Sequence, residues 1–410
     1  MSHFPLAPLS ELAEVNPKTK LAKGNDHPFV AMENVSPGRR YVKAQGHRSL
    51  AGGARFEPGD TLLARITPCL ENGKIAQYDP CGKAGFGSTE FIVLRAKPAV
   101  ADPGFVHYLA VSEDVRAPAI ASMSGASGRQ RADAKVVAHA LVPAPPLDTQ
   151  RRIASILGAY DDLIEVNRRR VALLEEMARG LFEEWFVRFR FPGHEDVPMV
   201  EMAEGVLPEG WRTMPLSAVA SINARSLRPA QAPKTIGYID IASVAPGEVQ
   251  NVSWMLFSDA PGRARRMVAD GSILWSNVRP NRRSFAVLID PQMHTIASTG
   301  FTVIDALSVP FSYLYHWVTT DAFVGYLVGH ATGAAYPAVT SATFDRALVV
   351  VPSGQVLADF NRFAEPTLRL VEKIRRTSRS LAASRDLLLP RLISGQLSVE
   401  VAEQQLEEAA

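Results

Sequence analysis

The sequence predicts an α+β protein in which two tandem α+β domains are joined by two long antiparallel coiled-coil helices. Three observations carry that expectation. The second half of the chain repeats the first at an offset of roughly 210 residues, a period too long for a solenoid unit and suited to a duplicated domain. Each repeat ends in a long segment whose apolar residues recur at 4-3 spacing, the heptad signature of paired helices. Between the repeated anchors, short β-branched and aromatic runs bounded by turn residues alternate with short helical stretches.

The first repeat is placed at 1–147. Its anchors are Pro8-Leu9-Ser10 with Asn16, then Val35-Ser36-Pro37-Gly38, then Gly59-Asp60-Thr61 running to Arg65-Ile66-Thr67-Pro68, then Ser88-Thr89-Glu90-Phe91, and finally Ser124-Gly125-Ala126. Strands are expected at 61–66 and 91–94 and a helix at 105–111. A first spacer helix is placed at 148–190, where no proline interrupts the seam Ile153, Leu157, Tyr160, Ile164, Asn167, Val171, Leu174, Ala178, Leu181 and Trp185. Pro143, Pro145 and Pro146 break the chain before it, and Asp148 is a suitable N-cap. Pro192-Gly193, Pro198, Pro208 and Gly210 then mark 191–210 as a linker.

The second repeat, 211–353, restates the anchors as Pro215-Leu216-Ser217 with Asn223, Val244-Ala245-Pro246-Gly247, Gly271-Ser272-Ile273 running to Asn277-Val278-Arg279-Pro280, Ser298-Thr299-Gly300-Phe301, and Thr332-Gly333-Ala334. Strands are expected at 272–275 and 301–304 and a helix at 311–318. A second spacer helix at 354–395 carries the seam Val356, Phe360, Phe363, Thr367, Leu370, Ile374, Thr377, Leu381, Ser384 and Leu388, with Ser394-Gly395 as its stop. A helix of about 40 residues spans roughly 60 Å, more than one small domain needs internally. Two such helices therefore serve to bridge the repeats. The remainder, 396–410, reads as an acidic, weakly ordered tail.

Composition narrows the function. With 44 basic and 42 acidic side chains the net charge is only +2, which argues against a protein that coats nucleic acid by bulk attraction. Residues 1–147 hold 17 basic and 13 acidic side chains and 191–352 hold 11 and 13, so any nucleic-acid contact must come from local clusters. No apolar run approaches the roughly 18 residues of a membrane span, and the N-terminus lacks a signal-like pattern; a cytoplasmic location is expected. Cys69 and Cys81 have no metal-site spacing and read as free thiols.

Catalytic signatures are missing. Gly73-Lys74 is followed by Ile75 and Gly82-Lys83 by Ala84, so neither supplies the hydroxyl of a phosphate-binding loop. Gly85-Phe86-Gly87 lacks the third glycine of a dinucleotide fingerprint. Asp60, Glu71 and Lys74 are wrongly spaced for a nuclease set, no motif for holding a base during amino methylation is present, and the nine histidines form no ligand pair. Catalysis and metal binding are not expected of this chain.

Two segments are distinctive enough to suggest a family. Pro145-Pro146-Leu147-Asp148-Thr149-Gln150-Arg151-Arg152-Ile153, continuing through Asp161-Asp162-Leu163-Ile164-Glu165-Val166-Asn167 to Leu181-Phe182-Glu183-Glu184-Trp185-Phe186, resembles the central spacer of type I restriction-modification specificity subunits. Ser384-Arg385-Asp386 through Leu389-Pro390-Arg391-Leu392-Ile393-Ser394-Gly395 resembles the terminal spacer of the same family. The resemblance implies two target-recognition domains, each reading one half of a split double-stranded DNA site. It also implies helices that dock two modification (methyltransferase) subunits, with restriction (translocase/nuclease) subunits completing the complex. S-adenosylmethionine, ATP and magnesium would then belong to the partners and none to this chain. An orphan DNA-binding or anti-restriction protein on the same scaffold is the rival reading.

For DNA contact the first repeat offers Arg39, Arg40, Lys43, Arg48, Arg65, Lys74, Arg129, Gln130 and Arg131. Arginine and lysine anchor phosphates, whereas Gln130, set between two arginines, can pair with an adenine edge. The second repeat offers the cluster Arg263, Arg265 and Arg266 and, preferred for its asparagine, the cluster Arg279, Asn281, Arg282 and Arg283. Its glycine-rich segment departs from the first, with Tyr336-Pro337 set against Gly128-Arg129. Leu157, Ile164, Leu174, Leu181 and Trp185 are the spacer positions expected to support partner docking.

Overall fold

The computed structural model describes residues 4–126, 128–202 and 205–409. The chain folds as two compact units, one made of Met1–Arg169 with Arg376–Ala410, the other of Arg170–Arg375. Each unit thus combines one repeat with part of each long helix, Leu147–Phe182 and Gly354–Ile393.

In the first unit a five-stranded sheet runs Ala13–Val15, Phe91–Ala96, Thr61–Ala64, Ile75–Tyr78, Tyr41–Val42. A four-stranded sheet runs His47–Ser49, Asp26–Val30, Gly85–Gly87, Ala54–Phe56, with its two central strands parallel. The second unit repeats the plan. One sheet runs Ala220–Ile222, Phe301–Ala306, Ile273–Ser276, Phe285–Val287, and the other Ser253–Leu256, Thr235–Ile239, Thr295–Ser298, Ala264–Met267, again with a parallel central pair. The expected strands and the helices Pro103–Val111 and Phe311–Val318 fall at these matching places.

The repeated asparagines show how the sequence dictates the plan. Asn16 and Asn223 both take left-handed backbone conformations, φ 53° and 54°, which asparagine tolerates better than most residues. Each backbone N–H donates to a valine carbonyl, of Val93 at 2.7 Å and Val303 at 2.8 Å. Each side-chain Oδ1 accepts the N–H of the same valine, at 3.0 and 2.9 Å. One residue therefore ends a strand and holds it in register with its neighbour.

Both units bury their own cores. In the first, Leu9, Leu63, Ile92, Phe105, Leu109 and Val142 pack with Ile153 and Leu157 of the first long helix and Leu392 and Ile393 of the second. In the second, Trp211, Trp275, Tyr313 and Phe344 pack with Phe182, Phe186 and Phe360. In both units the segments of the long helices run antiparallel: Ile153 and Leu157 pack with Leu392 and Ile393 while Asp161 meets Arg385 in the first, and Glu175 meets Arg375 while Phe182 meets Phe360 in the second.

Four sequence expectations need correction. The first helix begins at Leu147, so Asp148 lies in its first turn rather than capping it. Its α-helical hydrogen bonding stops at Phe182, short of 190, where a π-helical turn, Glu183–Val187, re-aims the aromatic side chains into the core. The linker at 191–210 contains an antiparallel strand pair, Met199–Met202 with Gly205–Pro208. The tail is not weakly ordered along its length. Val399–Ala409 is helical, burying Val399 and Ala402, and it is fixed by the Arg152 guanidinium bonded to Glu400 at 2.6 Å and Glu403 at 2.6 Å. Acidic residues that read as a solvated tail find their cation some 250 residues earlier.

Candidate nucleic-acid interface

In the first unit the loop that leaves strand Thr61–Ala64 lies against residues 130–132 at the end of the glycine-rich segment. Ile66 and Ser124 each bridge to Arg131, the Thr67 N–H donates to the Gln130 carbonyl at 3.0 Å, and the Ala132 N–H donates to the Arg65 carbonyl at 2.8 Å. Glycine is required at position 125, where φ is 128° and an added Cβ would lie 3.2 Å from the Arg129 carbonyl. The second unit has the same construction. Val278 and Thr332 each bridge to Ala338, the Arg279 N–H donates to the Pro337 carbonyl at 2.7 Å, and the Val339 N–H donates to the Asn277 carbonyl at 2.9 Å.

This backbone pairing corrects the sequence alignment of the two glycine-rich segments. Thr67 and Arg279 are equivalent, so Pro337 stands where the first unit has Gln130, Tyr336 where it has Arg129, and Ala338 where it has Arg131. The second loop is one residue shorter. Its donors are moved to the neighbouring turn, Pro280–Arg282, which is flanked by Arg279 and Arg283, both in left-handed conformations at φ 52° and 56°. Such strain in bulky residues persists only where surrounding bonds enforce it. Here the Arg279 guanidinium stacks 4.3 Å from the Tyr336 ring centre and donates to the Ala335 carbonyl at 3.1 Å, while Arg283 pairs with Asp321. The turn displays Asn281 and Arg282, both exposed.

The other candidates separate into displayed and engaged groups. Arg39 and Arg129 are exposed, and Gln130 is half-buried. Lys43 is exposed beside Asp79 at 3.8 Å. Arg131 donates from Nε and Nη2 to both oxygens of Glu90, and this hydrogen bonding lowers the Glu90 carboxyl pKa. Lys74 reaches inward to the Met32 carbonyl at 2.9 Å. Arg40 is a structural pin rather than a displayed cation. Its guanidinium occupies the space left by Gly104 and Gly158, where added Cβ atoms would lie 2.8 and 2.4 Å from its nitrogens, and it faces the rings of Tyr41 and Tyr108. Arg65 is half-buried, with Nε buried and unpaired among the described residues. Arg48 lies over Phe29 and Arg265 over Phe257, and burial lowers the pKa of Arg266.

Asp60 and Lys74, of the trio whose spacing does not suit a nuclease, are engaged in structure. Asp60, 3% exposed, is held by Arg95 at 2.6 Å and accepts the Glu57 N–H, and burial raises its pKa. Among the described residues no group of three or more His, Cys, Asp or Glu could hold a metal ion, and no helix is long and apolar enough to cross a membrane. Of the spacer positions, Leu157 and Ile164 are buried, Leu174 and Leu181 half-buried. Trp185 is half-buried and packs on Phe186 and Phe360 at the margin of the second unit's core. Tyr336 as the platform for Arg279 and Glu90 as the partner of Arg131 have no signal in the sequence, because each pairing joins residues far apart in the chain.

A family model described as "Type I restriction modification DNA specificity domain" matches residues 7–176. The MjaIX type I restriction enzyme specificity subunit of Methanocaldococcus jannaschii is 20% identical over 397 residues, covering 94% of this chain and 90% of the relative. The EcoEI specificity subunit of Escherichia coli is 30% identical over 170 residues, covering 38% of this chain and 27% of the relative. The crystal structure of the type I restriction-modification S subunit from M. genitalium shares the fold, with a TM-score of 0.56, 13% identity and 96% of each chain covered.

Proposed function

We propose that this chain, which belongs to the specificity-subunit family of type I restriction-modification systems, reads a split double-stranded DNA site through two unlike edges, one on each unit. The observation that carries this reading is the paired-loop construction. The same backbone bonds staple a hairpin loop to a glycine-rich loop in both units, yet the side chains displayed differ: Arg129 and Gln130 in the first, Asn281 and Arg282 in the second. A common frame with different donors suits two readers of different sequences, because base discrimination depends on the donor and acceptor pattern presented to the groove. Gln130 and Asn281 are the amides suited to adenine edges, and Arg129 and Arg282 can serve guanine or phosphate.

The chain is a non-catalytic specificity subunit, and its partners are DNA and the other components of the restriction-modification complex. We assign two modification subunits to the long helices and restriction subunits to the completed assembly, in the cytoplasm. S-adenosylmethionine, ATP and magnesium are placed on those partners. The orphan DNA-binding or anti-restriction reading is not favoured, since the relatives are named as specificity subunits of type I restriction enzymes. Exchange of 1–147 for the equivalent segment of a related subunit tests the reading. One half of the methylated motif should change and the other should stay; simultaneous change of both halves would refute two independent readers.

A further inference from the structure

Both units contain a corresponding contact of an arginine, a carboxylate, a turn carbonyl and a tyrosine, with the tyrosine bonded to the carboxylate in the first and set beside the turn glycine in the second. In the first unit Arg385 of the second long helix bonds Asp161 of the first long helix, and its Nη1 also lies 3.5 Å from the Gly38 carbonyl. Tyr108, on helix Pro103–Val111, donates its hydroxyl to the other oxygen of Asp161 at 2.6 Å. In the second unit Arg375 of the second long helix donates to Glu175 of the first at 2.7 Å and to the Gly247 carbonyl at 2.8 Å. The Tyr315 hydroxyl oxygen lies 3.3 Å from where a Cβ on Gly247 would stand, closing the corresponding group.

Gly38 and Gly247 are equivalent, each ending the repeated Val-x-Pro-Gly turn at positive φ, 71° and 78°. Tyr108 and Tyr315 occupy the matching helices. The arginines are well covered, each side chain 14% exposed, and Asp161 is 6% exposed. A guanidinium presents several donors in a fixed plane, so one arginine can hold a carboxylate and a carbonyl in a set relative orientation. Each contact therefore ties one recognition-domain turn to both long helices.

We propose that Arg385 and Arg375 are positioning residues: each clasps its recognition domain to the helix pair at a fixed angle and thereby sets how strictly the complex selects the distance between half-sites. This rests on the split-site reading above. A domain free to swing about its helices would still recognise its bases but would accept neighbouring spacings.

The test uses the full chain assembled with modification subunits, and DNAs in which the two half-sites are separated by a varied number of base pairs. Arg385→Lys keeps the charge but loses the planar fork. The double variant Asp161→Asn with Arg385→Gln removes both charges and keeps both side chains polar. Both should raise methylation at neighbouring spacings, relative to the native spacing, by roughly tenfold, the factor expected from losing one charge-assisted hydrogen bond. The bases required within each half-site should not change. An unaltered spacing profile in a variant that assembles and methylates would overturn the proposal. Should the Arg385 variants fail to fold, Arg375→Lys asks the same question of the second unit, and misfolding there as well would reduce the clasps to fold support and overturn the positioning role. Hydrogen exchange separates this idea from the split-site reading. Amides of the turn 35–38 should exchange faster in Arg385→Lys while those of Phe91–Ala96 stay protected, and unchanged exchange sinks the clasp even if no split site is ever methylated.

Discussion

Acid should destabilise both units through one buried histidine in each. His107 is 3% exposed and His316 7%, and a ring nitrogen of each, Nδ1 and Nε2 respectively, has no hydrogen-bond partner among the described residues. Burial disfavours the imidazolium in both, helped by Arg40 and Arg385 near His107 and by Arg179 near His316, so that each pKa is pushed down to about 3. The unfolded chain protonates near the ordinary value of about 6.5. Between those values the unfolded state binds the extra proton, so stability is full above about pH 6.5 and falls with decreasing pH. From pH 7 to pH 5 one such histidine removes about 2 kcal/mol, and the native value, lying so far below, hardly affects the figure. Urea unfolding at the two pH values measures it, with His107→Phe and His316→Phe as paired controls. Glu90 and Asp270, whose carboxyls are held low by Arg131 and Arg369, lose stabilisation in the same direction, but they contribute equally to native and variant and cancel in the difference. Each variant should reduce the acid loss of its own unit by about 2 kcal/mol. If His107→Phe loses as much between pH 7 and pH 5 as the native chain, the buried imidazole is not the source.

Two further outcomes follow from the interface and the core. Gln130→Ala should weaken cognate binding by about 1–3 kcal/mol and leave nonspecific binding unchanged, while Arg129→Ala should weaken both and lower the salt dependence by about one unit if it anchors phosphate; isotherms on cognate and random DNA at several salt concentrations check this, and equal losses for Gln130→Ala on both DNAs would refute base reading. Phe360→Ala should destabilise the second unit by about 3–5 kcal/mol, because its fully buried ring touches Phe182, Trp185, Phe186, Tyr313 and His316; calorimetry on the full chain reads it, and a loss below about 1 kcal/mol would mean that this aromatic cluster repacks readily.

What could be read from the sequence was local or repeated. The asparagines at 16 and 223, the Val-x-Pro-Gly turns and the strand runs are dictated by backbone conformation and short-range pattern, and duplication displays each of them twice. What was hidden depends on partners distant in the chain. Arg131 meets Glu90 across 41 residues, Lys74 meets the Met32 carbonyl across 42 and Arg283 meets Asp321 across 38. A basic cluster looks the same in sequence whether its charges are displayed or engaged. Arg40 is the sharpest case, since the seat of its guanidinium depends on two glycines, Gly104 and Gly158, on separate helices. The register of the glycine-rich loops was misread for a related reason: one deleted residue is invisible until backbone bonds identify Pro337 with Gln130.

The engaged charges also bear on how the edges select DNA. Of the arginines and lysines proposed for contact, Arg40, Lys74, Arg131 and Arg283 already have protein partners, and each would have to give one up to neutralise a phosphate. Arg39, Lys43, Arg129 and Arg282 remain displayed, Arg129 next to Gln130 and Arg282 next to Asn281 in the chain. Counterion release scales with the number of phosphates neutralised, so engaged cations add less to nonspecific attraction than displayed ones. On the proposed reading, discrimination rests on geometry: on loops whose backbone pairing would fix where an amide or guanidinium meets a base edge. A frame stapled by main-chain bonds tolerates replacement of the displayed side chains, and this is how the two units keep one fold while carrying Gln130 on the glycine-rich loop in one and Asn281 on the hairpin turn in the other.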